Sequence, residues 1–143
     1  MNTEPEELTT EQVEEAINDP QKAIIDVRPV EAYNGWILGS EARGGHIKGA
    51  RSFPLKWTRY EGWLQRIQNK GITPDKSVII YGYDKEEAMF LVEQLNDNGY
   101  ENLLIYNHFV DEWSADEKYP MDYLKRYTQL VYPEWLSSLI KGN

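Results

Sequence analysis

The chain has no cysteine. That excludes disulfides, thiolate catalysis and cysteine-ligated zinc within it. No run approaches the ~18 consecutive apolar residues of a membrane-spanning helix. The first twenty residues are acidic and polar, with neither a secretory h-region nor a basic transit pattern. Basic residues are also scarce: 15 Lys and Arg against 24 Asp and Glu give a net charge of −9. Such a surface repels nucleic acid and anionic membrane, so neither is expected as a partner. With nothing directing the chain elsewhere, cytoplasm is the default expectation. What remains is a soluble composition, 41% hydrophobic and 27% charged over 143 residues, enough for one domain with its own core.

The sequence predicts strands alternating with helices. Residues 1–7 read as a disordered acidic start. Thr9 with Gln12 has capping-box spacing, and Val13, Ala16 and Ile17 give the following helix one apolar face. Ala23 to Val27 is a buried strand by its β-branched run, and Pro29 opens a short helical turn through Tyr33. The stretch from Gly35 to Gly49 is too rich in glycine for regular structure. A short strand follows at Ala50 to Phe53. Trp57, Tyr60, Trp63, Leu64 and Ile67 then mark one helix ending near Gly71. Val78 to Tyr81 and Leu103 to Tyr106 are further strands. Between them Ala88, Leu91, Val92 and Leu95 recur at i, i+3, i+4 and i+7, with Gly99 at the C-terminal cap. The pattern predicts an α/β domain with a mainly parallel sheet and helices on both faces.

The turn Gly82-Tyr83-Asp84, between a strand and a helix beginning near Lys85, falls where open α/β sheets collect ligands. It carries neither a thiol nor a hydroxyl nucleophile. Asp84, Glu86 and Glu87 against Lys85 make it acidic, and carboxylates in a first helical turn are ordinary helix stabilisers. They also oppose a bound anion by about 1 kcal/mol per charge at 4 Å in water. Asp26 and Arg28, two apart on one strand, share a face and form a polar clasp beneath the loop. Arg43, Lys48 and Arg51 form a small basic cluster, either a docking spot or solvated loop charge.

Three stretches together resemble the rhodanese-like family of sulfurtransferase domains. They are Ile25-Asp26-Val27-Arg28 with Glu31-Ala32-Tyr33; Gly45-His46-Ile47-Lys48-Gly49-Ala50 with Phe53-Pro54-Leu55; and Val78 to Tyr81 with its loop and helix, Asn98 to Leu103 and Trp113. The resemblance covers roughly residues 8–115 and implies a three-layer domain, bounded at 8–118, with a sheet of about five strands. It implies that His46 orders the glycine-rich turn rather than acting as a base or metal ligand. In active members a cysteine follows the central strand and carries sulfur as a persulfide, taken from thiosulfate or a related donor. Here the matching residue is Gly82. The loop Gly82, Tyr83, Asp84, Lys85, Glu86, Glu87 also lacks the arginine common in active loops and is about one residue short. No catalytic residue, metal or cofactor is therefore expected.

Residues 119–143 read as an aromatic-rich linker and the start of a following domain. Val131 to Ile140 can be laid over Leu8 to Ile17, although a generic amphipathic helix would give the same pattern. The resemblance extends into Leu130 to Leu136 as the join of tandem sulfurtransferases. It implies a silent N-terminal unit whose partner is a sibling rhodanese domain carrying the cysteine. The alternative is a free-standing binding module of the same fold. Tyr119, Tyr123, Tyr127, Tyr132 and Trp135 would pack against a neighbouring domain, or wrap back on this one.

Overall fold

Five short strands build the centre of the fold, and the apolar residues of the inner three alternate between two covered faces. The computed structural model describes residues 5–124. The elements run β1 (Glu6–Glu7), α1 (Thr10–Ala16), β2 (Lys22–Asp26), α2 (Val30–Asn34), β3 (His46–Ile47) and β4 (Arg51–Ser52). A 3₁₀ segment (Leu55–Arg59), α3 (Trp63–Asn69), β5 (Ser77–Tyr81), α4 (Lys85–Asn96) and β6 (Leu103–Tyr106) follow. A π-helical turn (Phe109–Trp113) and β7 (Met121–Asp122) complete the described chain. The main sheet has the order β1-β6-β5-β2-β4, and every pairing in it is parallel.

Adjacent residues on the central strands point to opposite layers. Ile25 and Ile80 join Leu91, Leu95 and Ile67 on the α3–α4 side. Ile24 and Ile79 join Val13, Phe109 and Trp113 on the other. Helix α1 starts with the expected capping box: Thr9 Oγ1 accepts from the Gln12 N–H at 3.2 Å, and the Thr9 N–H donates to Gln12 Oε1 at 2.8 Å. Helix α4 buries Ala88, Leu91, Val92 and Leu95. Burying a leucine-sized side chain is worth about 1.5–3 kcal/mol, so this stripe holds α4 on the sheet.

The structure departs from the sequence reading in four places. Glu6–Glu7, inside the expected disordered start, form an edge strand on β6, with the Leu8 N–H donating to the Ile105 carbonyl at 2.8 Å. The helix expected from Trp57 to Gly71 is two elements, broken where Tyr60 is extended and Gly62 adopts φ 81°. His46–Ile47, within the stretch expected to lack regular structure, pairs antiparallel with Met121–Asp122. That pairing carries the domain past residue 118, where the sequence predicts a linker. Gly45 permits it: a Cβ there would lie 2.3 Å from the Asp122 carbonyl oxygen.

Tyr119, expected at an interface, is 5% exposed and stacks on buried Trp113 with ring centroids 4.9 Å apart. Arg43 holds this segment by donating to the carbonyls of Trp113, Ser114, Asp116 and Tyr119. Tyr123 is exposed, whereas Tyr127, Tyr132 and Trp135 lie outside the described residues. No helix among the described residues is long and apolar enough to cross a membrane.

Candidate functional site

Strand β5 delivers Gly82 to the carboxyl edge of the sheet, and α4 begins three residues later. Asp84 is the N-cap; its Oδ1 accepts from the Glu87 N–H at 2.9 Å. This orientation turns the Glu87 side chain back into the loop, where Oε1 accepts from the Tyr83 N–H at 2.7 Å. Burial raises the Glu87 pKa against the opposing pull of that hydrogen bond, and Asp84 raises it further. Glu86 points to solvent, and Lys85 pairs with Glu7 at 3.0 Å. A backbone N–H of the turn thus already has an anionic partner from the protein itself.

Gly82 is buried, and a Cβ on it would lie 2.8 Å from Glu87 Oε1 and 2.8 Å from Val27 Cγ2. Its φ is not positive, so close packing rather than backbone twist favours glycine here. Tyr83 supplies the loop's one phenol, but burial and its hydrogen bond to Glu41 push its pKa up to about 12. It stays protonated at neutral pH and is no nucleophile.

Beneath the loop lies the clasp. Arg28 Nε and Nη2 reach the two Asp26 oxygens at 3.0 and 2.7 Å. Nη1 donates to Glu41 Oε2 at 3.1 Å, and Nη2 to the Gly45 carbonyl at 2.5 Å. Tyr81 donates to Asp26 Oδ2 at 2.8 Å, and Tyr83 to Glu41 Oε2 at 2.6 Å. The guanidinium also lies 4.4 Å from the Phe109 ring centroid. Burial opposes the Arg28 charge, yet Asp26 more than compensates and its pKa is raised. Asp26 and Arg28 are both 0% exposed. They structure the site but offer no face to a substrate.

Sequence reasoning missed Glu41 and the two tyrosine hydroxyls. Glu41 sits in an irregular stretch with no periodicity to flag it, and Tyr81 reads as a strand residue. His46 stands on the far side of Gly45. Its Nδ1–H donates to the Tyr33 carbonyl at 2.8 Å, and its ring stacks on Tyr33 at 3.6 Å. Burial lowers its pKa. His108 pairs instead with Asp111 and Glu112 on the surface. His46 and His108 are thus held apart in separate local networks.

A profile of the rhodanese-like domain matches residues 9–116. The chain belongs to the rhodanese-like domain family. It is 29% identical over 124 residues to thiosulfate sulfurtransferase YnjE of Escherichia coli strain K12, covering 82% of this chain and 26% of that protein. Wild-type EanB superposes with a TM-score of 0.86 at 38% identity, covering 98% of this chain and 32% of EanB. An EanB variant with ergothioneine covalently linked to a persulfide cysteine gives the same score and identity. The rhodanese-like chain thus spans about a quarter to a third of these relatives.

Proposed function

We propose that this is a catalytically silent rhodanese-like domain of a multi-domain sulfurtransferase, whose active cysteine lies in a sibling domain. Its role is structural: to pack against, orient or limit access to that sibling. The observation that carries the reading is the loop after β5. Gly82 occupies the position matched to the nucleophile, and the Glu87 carboxylate fills the space beside it. A carboxylate accepting from the loop N–H leaves an anionic donor competing with a covalently tethered one. Like-charge repulsion at that distance opposes it further.

The relatives support the multi-domain part, because the match to this chain covers only 26% of YnjE and 32% of EanB. The test has two parts. In a thiosulfate–cyanide assay the 143-residue chain is expected to form thiocyanate no faster than buffer; turnover overturns silence. The coding sequence beyond Asn143 is expected to continue into a unit with cysteine after a similar apolar strand. A stop codon there favours a free-standing module.

A further inference from the structure

Five cations converge on a cleft at the opposite end of the sheet from Gly82. The cleft has a volume of about 170 Å³, and Lys22, Lys48, Arg51, Lys70 and Lys76 line it. They are five of the chain's 15 basic residues, and among the described residues no acidic one is in the lining. Lys22 opens β2, opposite Ser77 at the start of β5, while Gly82 follows the other end of that strand. Lys70 closes α3, Arg51 opens β4, and Lys48 follows β3. The basic cluster visible in the sequence therefore divides: Lys48 and Arg51 face this cleft, whereas Arg43 is committed to the segment after Trp113.

The neighbouring carboxylates do little to neutralise these cations. Asp19 reaches Lys22 at 3.9 Å. Asp75, beside Lys76, accepts from the Thr73 hydroxyl. Among the described residues, Lys48, Arg51, Lys70 and Lys76 have no ion-pair partner. Burial, then Arg51 and Arg66, lower the Lys70 pKa, so the cations crowd one another. Gly49 and Gly71 complete the wall; a Cβ at Gly49 would meet nothing within 4 Å, leaving room against the backbone. Gathering like charges with so little counter-charge is unfavourable, and a multivalent anion reverses the sign of each interaction. The volume is below the ~300 Å³ of drug-sized pockets, which sets the ligand's size.

We propose that this cleft binds a small multiply charged oxyanion of the phosphate or sulfate type. Its failure leaves the silent-domain reading untouched, since the two sites lie at opposite ends of the sheet. The test titrates pyrophosphate, phosphate, sulfate and thiosulfate separately into the chain, at ionic strength held constant with KCl. Binding is followed by calorimetry and by the rise in melting temperature that a native-state ligand produces. At least one anion is expected to bind saturably with one-to-one stoichiometry. Arg51→Gln/Lys70→Gln should weaken it by about tenfold or more, given two lost contacts to a multivalent ligand. The charge-matched Lys56→Gln/Arg59→Gln should bind as wild type. No saturable binding at millimolar anion, or equal losses in both double variants, overturns the site.

Discussion

Restoring the missing thiol tests the loop most directly. In Gly82→Cys the new Cβ meets two obstacles at 2.8 Å, the end of the Glu87 side chain and Val27 Cγ2. Glu87 can swing aside. Val27 is 2% exposed and cannot, so the steric cost falls in the usual overpacking range of about 1–3 kcal/mol. At roughly 3–4 °C per kcal/mol for a chain of this size, melting should fall by about 3–12 °C. The electrostatic effect is separate. A thiolate about 4 Å from the Glu87 carboxylate is destabilised by ~1 kcal/mol in water and ~4 kcal/mol at an effective dielectric of 20. The α4 N-terminus returns about 0.3–1 kcal/mol. The net cost is about 0–3.7 kcal/mol, so at 1.36 kcal/mol per unit the thiol should titrate between its usual ~8.5 and about 2.7 units above it. At pH 7.5 the thiolate fraction would then be no more than the ~9% of an unperturbed cysteine, and well under ~1% toward the upper end of that range. Iodoacetamide alkylation against pH reads the pKa, and thiocyanate formation reads turnover. Gly82→Cys/Glu87→Ala should alkylate faster yet stay destabilised, because Val27 remains; Gly82→Ala should show the steric cost alone. A single Gly82→Cys variant that melts like wild type, titrates below 8.5 and transfers sulfur would refute both arguments.

Three further perturbations test the scaffold. Arg28→Met strands the buried Asp26 and Glu41 carboxylates and should cost about 3–5 kcal/mol in urea unfolding, with Arg28→Lys milder because it keeps charge but not the fork; equal stability of Arg28→Met and wild type would contradict the clasp. Arg43→Ala removes the donor to four carbonyls and should cost about 1–3 kcal/mol. It should also speed amide exchange at Lys48, whose N–H donates to the Pro120 carbonyl at 3.1 Å; unchanged exchange there would separate Arg43 from the β3–β7 pairing. His46 has a lowered pKa in the fold, so below its unfolded value of about 6.5 the unfolded chain binds the extra proton first. Stability should therefore fall as pH drops through and below that value, and His46→Gln should flatten this part of the profile; an identical pH slope would remove His46 as its source.

The elements with strong local signals were legible. The Thr9–Gln12 capping box, the Ala88–Leu95 stripe and the β-branched strands are local chemistry, and each is found where the sequence places it. What escaped depends on contacts distant in sequence. Glu41 has no local feature to mark it, yet it meets Arg28 and Tyr83, 13 and 42 residues away. β1 and β3 are two residues each and exist only because β6 and β7 offer a pairing edge. Tyr119 shows the same limit: the sequence leaves open whether it packs on a neighbour or on this domain, and Arg43 and Trp113 hold it here. At the site, composition showed that no thiol is present, and the family resemblance placed its position at Gly82. Neither could reveal that Glu87 turns inward while Glu86 turns out, which the Asp84 cap decides.

The same geometry explains why a loop without a nucleophile keeps its shape. Glu87 binds the Tyr83 amide from within, and the Tyr83 hydroxyl binds Glu41 from outside. Glu41 is tied to Arg28, Arg28 to the Gly45 carbonyl, and the residues after Gly45 to β7. Loop, glycine-rich stretch and exit segment are thus cross-linked through one buried guanidinium. A loop that must receive a donor and release a product gains from weak internal bonds, because its groups have to exchange partners during turnover. Here the Tyr83 amide and hydroxyl, Asp84 and Glu87 bond to the protein itself, and satisfied buried networks rigidify what they join. A loop bonded in this way is consistent with the proposed role of positioning a neighbour, and it would hinder the partner exchange that sulfur turnover needs.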